Sequence, residues 1–300
     1  MASLKIGVIG IPGKWSTEVL ADAVEARTGS RLVIDMDAVS LDLPQRRLVH
    51  EGQDLCELDA LMVKKITREY SPSTLDRLEL LRVAEARGVR VFSGAENILR
   101  LIDRLSCTVS LANAGIPMPE TVVTVDVKTA CEAIEKYREA VLKPLYSTKA
   151  RGMCLVSAAE GASHIRKAVE NFQADNPVMY VQQKRDLSGR DFGMVFLGGE
   201  YLGSYARVTD SDSWNTTIHH GGKYMAYEAS PELVDLGRRA QAPFGLDFTT
   251  VDVALTDDGP IVFEVSAFGG FRGAKEGIGI DAAALYTDHV LGKLEGNSDT

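Results

Sequence analysis

Residues 261–271 read IVFEVSAFGGF. A hydrophobic strand here carries one acid, Glu264, and a hydroxyl, Ser266, before a Gly-Gly pair. Side chains alternate along a strand, so Glu264 and Ser266 share a face and Val265 takes the other. The preceding run TTVDVALTDDG, 249–259, is a second strand ending in a tight-turn signal. Folding the two together at Asp258-Gly259 brings Asp252 close to Glu264 or Ser266 across the ladder. Two carboxylates and a hydroxyl at one level suit a hard cation such as Mg2+ that shares its ligands with phosphates. Buried carboxylates without a cation are costly, so either a metal or an Arg or Lys must lie close by. The pattern leaves both open.

Working outward, AVLKPLYSTKARGM, 140–153, places Lys143 at the end of an apolar strand before a loop of small and basic residues. Loop N–H groups and an ammonium together suit oxyanions. The Walker spacing GxxxxGK[ST] is absent, and a strand-end lysine before proline is also a common solvated edge. RDFGMVFLGGEYLGSYARV, 190–208, reads as a hairpin with Asp191 at its start and Arg207 at its end. Arg207 is suited to clamp a phosphoryl oxygen bidentately, or is a surface arginine. The loop 213–222, SWNTTIHHGG, holds Asn215, His219 and His220. Adjacent histidines rarely share a face, which weakens them as an acid–base pair.

The bulk numbers set the frame. In 300 residues, 45% are hydrophobic and 25% charged, as in ordinary globular chains. This length implies two or three packed lobes. A formal net charge of −9 excludes nucleic-acid binding through a basic surface. The four cysteines form no CxxC pair and no metal spacing with histidine, as expected of core residues in a reducing compartment. No run of 18 apolar residues appears and MASLKIGVIG reads as a first strand, so the chain is expected to be cytoplasmic and not bound to membranes.

Strand and helix patterns alternate through residue 95: strands at 4–10, 30–36, 59–66 and 89–93, with helices at 17–29 and at 73–88, the latter capped by Ser73. The segment 45–58 reads as a hairpin or irregular stretch. This is an α/β lobe with a parallel sheet. One helix is expected over 96–115, then a Pro-rich breaker, IPMPET. An α+β lobe follows to residue 183, and a strand-rich lobe fills 184–300. The expected division is 1–95, 96–183 and 184–300.

In order, the pieces DR (103–104), AGIPMPET, VLKP, VQQ, GRD, GSYAR, N…HHGG, VDVALTDDG and FEVS resemble the ATP-grasp superfamily, and within it the RimK-like amino-acid ligases. LIDRLSCTV, VLKPLYSTKARGM and MVKKI are also similar to the ATP-grasp enzyme of the bacterial GAK system. The resemblance implies an ATP-grasp fold with an N-terminal Rossmann-like lobe, and ATP held between two α+β lobes. Lys143 then matches the lysine on the α/β-phosphates, with Arg104 and Lys149 also on the nucleotide. Backbone groups of Gln183 and Lys184 read adenine, Asp191 binds ribose, Asn215 lies near the phosphates and Arg207 near the γ-phosphate. Asp252, Glu264 and Ser266 are the implied ligands of two Mg2+ ions, with Mn2+ as a substitute.

The implied reaction is ATP-dependent: a carboxylate is phosphorylated to an acylphosphate, and an amine displaces phosphate to give an amide, with release of ADP. Small-molecule or peptide acids and amines are the implied substrates, and a homo-oligomer is compatible with the resemblance. Three departures stand out. The metal motif Glu-x-Asn is Glu264-Val265-Ser266 here, and Asp-Lys at the helix start is Asp103-Arg104. Asp-Ile-Arg becomes Asp191-Phe192-Gly193, with Lys64, Lys65, Lys149 and Arg151 as candidate replacements for the lost cation. A phosphotransferase acting on a small molecule and a non-catalytic nucleotide-binding module are the alternative readings.

Overall fold

A computed structural model describes residues 4–148, 150–209 and 222–296. The first lobe comprises β1 (Ile6–Ile9), α1 (Trp15–Thr28), β2 (Val33–Ile34), β3 (Val39–Asp42), β4 (Arg47–His50), β5 (Gln53–Asp54), β6 (Ala60–Val63), α2 (Pro72–Ala86) and β7 (Arg90–Phe92). Its parallel sheet has the order β2-β1-β6-β7. The strands are short apolar runs, with every residue of β1 and β6 buried, as strands covered on both faces must be. Residues 39–54 form a three-stranded antiparallel sheet, β3-β4-β5, rather than a single hairpin. Helix α2 begins one residue earlier than its sequence suggests. Ser71, not Ser73, is the cap, because Pro72 fits the first helical position and the Thr74 hydroxyl accepts from the Ser71 N–H at 3.1 Å.

The stretch expected to be one helix over 96–115 is two, α3 (Ala95–Leu99) and α4 (Arg104–Asn113). Asp103 separates them: its carboxylate accepts from the Ser106 N–H at 2.7 Å and starts a new helix. The central lobe continues with β8 (Thr121–Thr124), α5 (Val127–Tyr137), β9 (Glu139–Lys143), β10 (Cys154–Ser157), α6 (Ala162–Asp175) and β11 (Met179–Gln183). Its sheet is antiparallel with the order β10-β9-β11-β8. Helix α5 buries Ala130, Ala133, Ile134 and Tyr137, an i, i+3, i+4, i+7 stripe laid on that sheet.

The last lobe holds β12 (Arg190–Leu197), β13 (Glu200–Val208), β14 (Lys223–Tyr227), α7 (Pro231–Gln241), β15 (Phe248–Thr256), β16 (Gly259–Ser266), α8 (Phe271–Ile278) and α9 (Ala282–Glu295). Five strands run in the order β14-β13-β12-β15-β16. The β12–β13 hairpin closes through Gly198 and Gly199, both at positive φ, the two-residue turn that matches strand twist. One core cluster runs from Leu61 and Leu78 of the first lobe through Ile98 to Met194, Phe196 and Val262 of the last. The central lobe has a core of its own around Ile134, Leu142, Val169 and Val181. All four cysteines are free, but only Cys107 is buried as a core residue, while Cys56, Cys131 and Cys154 are half-buried; no helix among the described residues is long and apolar enough to cross a membrane.

Candidate active site

Strand register assembles the site. Asp191 pairs with Arg207, Gly193 pairs with both Tyr205 and Asp252, and Asp252 pairs with Glu264. Thr250 pairs with Ser266, so alternation sets Thr250, Asp252, Glu264 and Ser266 on one face of the sheet. The ladder shifts between Asp252 and Val253, which leaves Phe263 as an extra residue on β16. This bulge turns Phe263 and Glu264 together toward the central lobe: the Phe263 ring lies 5.4 Å from the Lys143 ammonium, and Glu264 accepts from Arg104 at 3.3 Å.

Arg207 is the hub of the acidic row. Its guanidinium donates from Nε to Asp191 at 3.0 Å, bonds the second Asp191 oxygen through Nη2, and reaches Asp252 at 3.0 Å. The ion pair that the sequence left open for Asp252 is therefore present. Asp191 is buried with both oxygens engaged by Arg207, so it orients that arginine. Burial pushes the Asp252 carboxyl up to about 7, with Glu264 and Asp191 adding to the effect and Arg207 opposing it. One guanidinium thus serves one buried acid, Asp191, and one half-buried acid, Asp252, with a third, Glu264, opposite.

Lys143 and Arg104 face this row from the central lobe. Lys143 is buried, and its ammonium donates to the Gln182 side-chain oxygen at 2.5 Å. The Gln182 amide donates in turn to Thr121 at 3.1 Å and to the Tyr180 hydroxyl at 3.2 Å, which meets Thr108 at 2.9 Å. Burial pulls the Lys143 ammonium down to about 7, helped by Arg104 and countered by Glu264. Gln182 was missed in the sequence, although it lies inside VQQ next to the expected hinge residue. The N–H groups of Gln183 and Lys184 are spent on the Glu120 and Glu139 carbonyls at 2.8 and 3.0 Å, and the Lys184 ammonium pairs with Glu139 at 3.1 Å. Lys149 and Asn215, with His219 and His220, lie outside the described residues. The loop residue Arg151 reaches across to Glu69 of the first lobe at 2.6 Å.

Among the described residues, no three His, Cys, Asp or Glu side chains converge as a metal cage. The donor set nevertheless fits Mg2+, an ion that takes one or two carboxylates and fills its remaining positions with water and phosphate oxygens. Asp252 and Glu264 supply those carboxylates, with the Ser266 hydroxyl two residues further along the same face.

Residues 102–290 match the RimK-like ATP-grasp domain. The chain belongs to that family. The tetrahydromethanopterin:alpha-L-glutamate ligase of Methanosarcina acetivorans is 25% identical over 264 residues, covering 83% of this chain and 82% of its own. A probable alpha-L-glutamate ligase of Maridesulfovibrio salexigens is 25% identical over 292 residues, covering 96% and 95%. Among solved structures, the ATP-grasp ligase PsnB with a phosphomimetic variant of its minimal precursor, Mg and ADP superposes with a TM-score of 0.76 at 19% identity, covering 98% of this chain and all of the other. The RimK domain protein of Sphaerobacter thermophilus gives 0.73 at 22% identity, covering 95% and 98%. The ATP-grasp fold and the RimK-like resemblance are borne out. As a RimK-like ATP-grasp protein the chain is an ATP-dependent carboxylate–amine ligase.

Proposed function

We propose that this chain activates a small-molecule or peptide carboxylate as its acylphosphate and passes it to an amine, with residue roles set by the cleft between β9–β11 and β12–β16. One substrate carboxylate oxygen attacks the γ-phosphorus of ATP, and the bond to the bridging oxygen breaks to release ADP. The amine nitrogen then attacks the acyl carbon, phosphate leaves with the C–O electron pair, and the amine loses a proton. The carrying observation is the contact between lobes: Arg104 and Lys143 of the central lobe meet Glu264 and Phe263 of the last.

In this reading Lys143, aimed by Gln182, and Arg104 hold the α- and β-phosphates, with Lys149 beside them. Arg207, oriented by Asp191, meets the transferred phosphoryl group, and Asn215 lies near the phosphates. Adenine recognition by Gln183 and Lys184 falls to carbonyl oxygens, since their N–H groups are engaged. Asp191 is also the carboxylate assigned to the ribose. Asp252, Glu264 and Ser266 hold two Mg2+ ions, with Mn2+ able to substitute; the metal supplies charge neutralisation on phosphate oxygens. Positioning and neutralisation carry most of the acceleration in phosphoryl transfer. The division into lobes at 1–95, 96–183 and 184–300, and a cytoplasmic location, belong to the same reading.

Incubation with ATP, Mg2+ and pools of acids and amines tests it. Phosphate release that requires both an acid and an amine is expected. Release with a stable phosphorylated product, or nucleotide binding without turnover, would overturn the assignment.

A further inference from the structure

The first lobe reaches the end of the acidic strand β16 through one buried side chain. Lys64 follows β6, and its N–H donates to the Ile9 carbonyl at the end of β1 at 2.8 Å, which fixes its backbone to the parallel sheet. The residue is 5% exposed, and its ammonium donates to the Gly269 and Phe268 carbonyls at 2.8 and 3.2 Å. The centre of the Phe271 ring lies 4.2 Å away. Among the described residues no carboxylate lies within ion-pair distance of Lys64. The ammonium is therefore committed to the turn between β16 and α8, through hydrogen bonds that its charge strengthens.

The other side of that turn is held as closely. The Thr249 hydroxyl donates to the Ser266 carbonyl at 2.7 Å. A Cβ at Gly269 would stand 2.7 Å from the Phe248 ring and 2.9 Å from the Thr249 carbonyl carbon, so only glycine lets the backbone lie this close to the start of β15. Residues 266–269 are thus gripped by β15 on one side and by the first lobe on the other. Ser266 stands two residues before the first carbonyl that Lys64 holds, on the face it shares with Asp252 and Glu264. A turn released from Lys64 would carry the Ser266 hydroxyl with it.

We propose that Lys64 is a positioning residue for the cation: by holding the Phe268 and Gly269 carbonyls it keeps Ser266 aimed into the cleft beside Glu264. The first lobe then belongs to the metal site without touching the metal. Removing a group that orients a metal ligand in this way weakens metal binding by about 10–100-fold. The inference rests on the reading of Asp252, Glu264 and Ser266 as Mg2+ ligands. It brings all three lobes to one site, with Arg104 from the central lobe, Lys64 from the first and the acidic row from the last.

The test is Mn2+ titration of the full chain with a non-hydrolysable ATP analogue, read by water proton relaxation, which separates Mn2+ held by the protein from Mn2+ on free nucleotide. Lys64→Met should weaken Mn2+ by about tenfold or more. Unchanged binding of the metal-free analogue shows that the variant is folded. The loss should be clearly smaller in a Ser266→Ala background, since the lysine acts through that residue. If Lys64→Met does not fold, a measurement on the unmodified chain decides. Adding Mg2+ to its analogue complex should slow amide hydrogen exchange at residues 64–66 as well as at 266–270, because coupling between two places is reciprocal. Wild-type Mn2+ affinity in Lys64→Met, a loss of equal size in the Ser266→Ala background, or exchange at 64–66 indifferent to Mg2+ overturns the proposal. Absence of saturable Mn2+ binding to the unmodified chain would instead overturn the metal reading, and the proposal with it.

Discussion

Asp252 and Glu264 stand directly opposite each other on β15 and β16, yet each is held by a different cation: Arg207 at 3.0 Å for Asp252, and Arg104 at 3.3 Å for Glu264. Arg207 belongs to the same sheet, whereas Arg104 comes from the central lobe, so the pair of acids joins two lobes. Glu264→Gln keeps the shape and loses the charge. Turnover should fall by about 100-fold or more with the melting temperature nearly unchanged, because Glu264 is the more exposed of the two acids. A fully active variant would remove Glu264 from the proposed metal site.

Ser266→Asn probes the shortened position in the same motif. Ser266 shares a face with Glu264, and its backbone carbonyl, not its hydroxyl, accepts from Thr249 at 2.7 Å. An asparagine can therefore extend toward the cation without breaking that bond. Activity should be kept and the Mg2+ concentration for half-maximal rate should fall. Loss of activity would give the hydroxyl a different task.

The acid–base balance of the cleft has a sign that can be measured. Folded Asp252 titrates at about 7, pushed up chiefly by burial, so below that value the folded chain holds a proton that the unfolded chain has released. Its contribution to stability is full below the ordinary carboxylate value and is lost as pH rises to about 7. Lys143 and Lys64 act in the opposite sense: both are pulled down to about 7, chiefly by burial, so above that value the unfolded chain binds more protons and stability rises toward the ordinary lysine range. The cleft contributes least near neutral pH. Melting curves of the nucleotide-free chain should dip there, and Mg2+ with ATP should fill the dip. Asp252→Asn should raise the melting temperature by ~2–4 °C at about pH 8. A profile without the dip, unchanged in this variant, would refute the assignment.

Gln182 gives a direct test of how Lys143 is aimed. Its side-chain oxygen is the acceptor for the Lys143 ammonium, and its amide is tied to Thr121 and Tyr180. Gln182→Leu removes the acceptor at similar size. The Michaelis constant for ATP should rise about tenfold, and Gln182→Glu should recover part of the loss while shifting the pH profile upward, since a carboxylate holds the lysine protonated. Equal loss in both variants, with no shift, would make Gln182 a packing residue.

Much of this was legible in the chain. Alternation alone put Glu264 and Ser266 on one face, and the turn at Asp258-Gly259 brought Asp252 close to one or other of them, because strand geometry has a fixed period and a short hairpin has few registers. What the pattern could not show were features set by neighbours distant in sequence. The bulge at Phe263 depends on the match of β15 to β16. The engagement of Asp191 by Arg207 depends on the register of β12 with β13. The break between α3 and α4 is a local signal, but an apolar periodicity that runs through Asp103 conceals it.

The glycine at 193 is also explained by a neighbour, and this yields the last prediction. Gly193 lies between Asp252 and Tyr205 in the sheet, where the sequence comparison expected a cation. The Tyr205 ring occupies that space. A Cβ at Gly193 would sit 2.4 Å from the ring, and one at Gly273 or Gly277 would sit 2.2 or 2.5 Å from Tyr205. Glycines on β12 and α8 thus enclose one buried aromatic, which leaves it no free direction to move. Gly193→Ala should cost about 1–3 kcal/mol through overpacking, read as a fall in the denaturation midpoint at constant slope. Tyr205→Leu should also destabilise, by leaving a void. In the double variant the smaller side chain makes room for the added methyl, so the combined loss should be clearly less than the sum of the single losses. Strict additivity would show that the ring is not what excludes a side chain at 193.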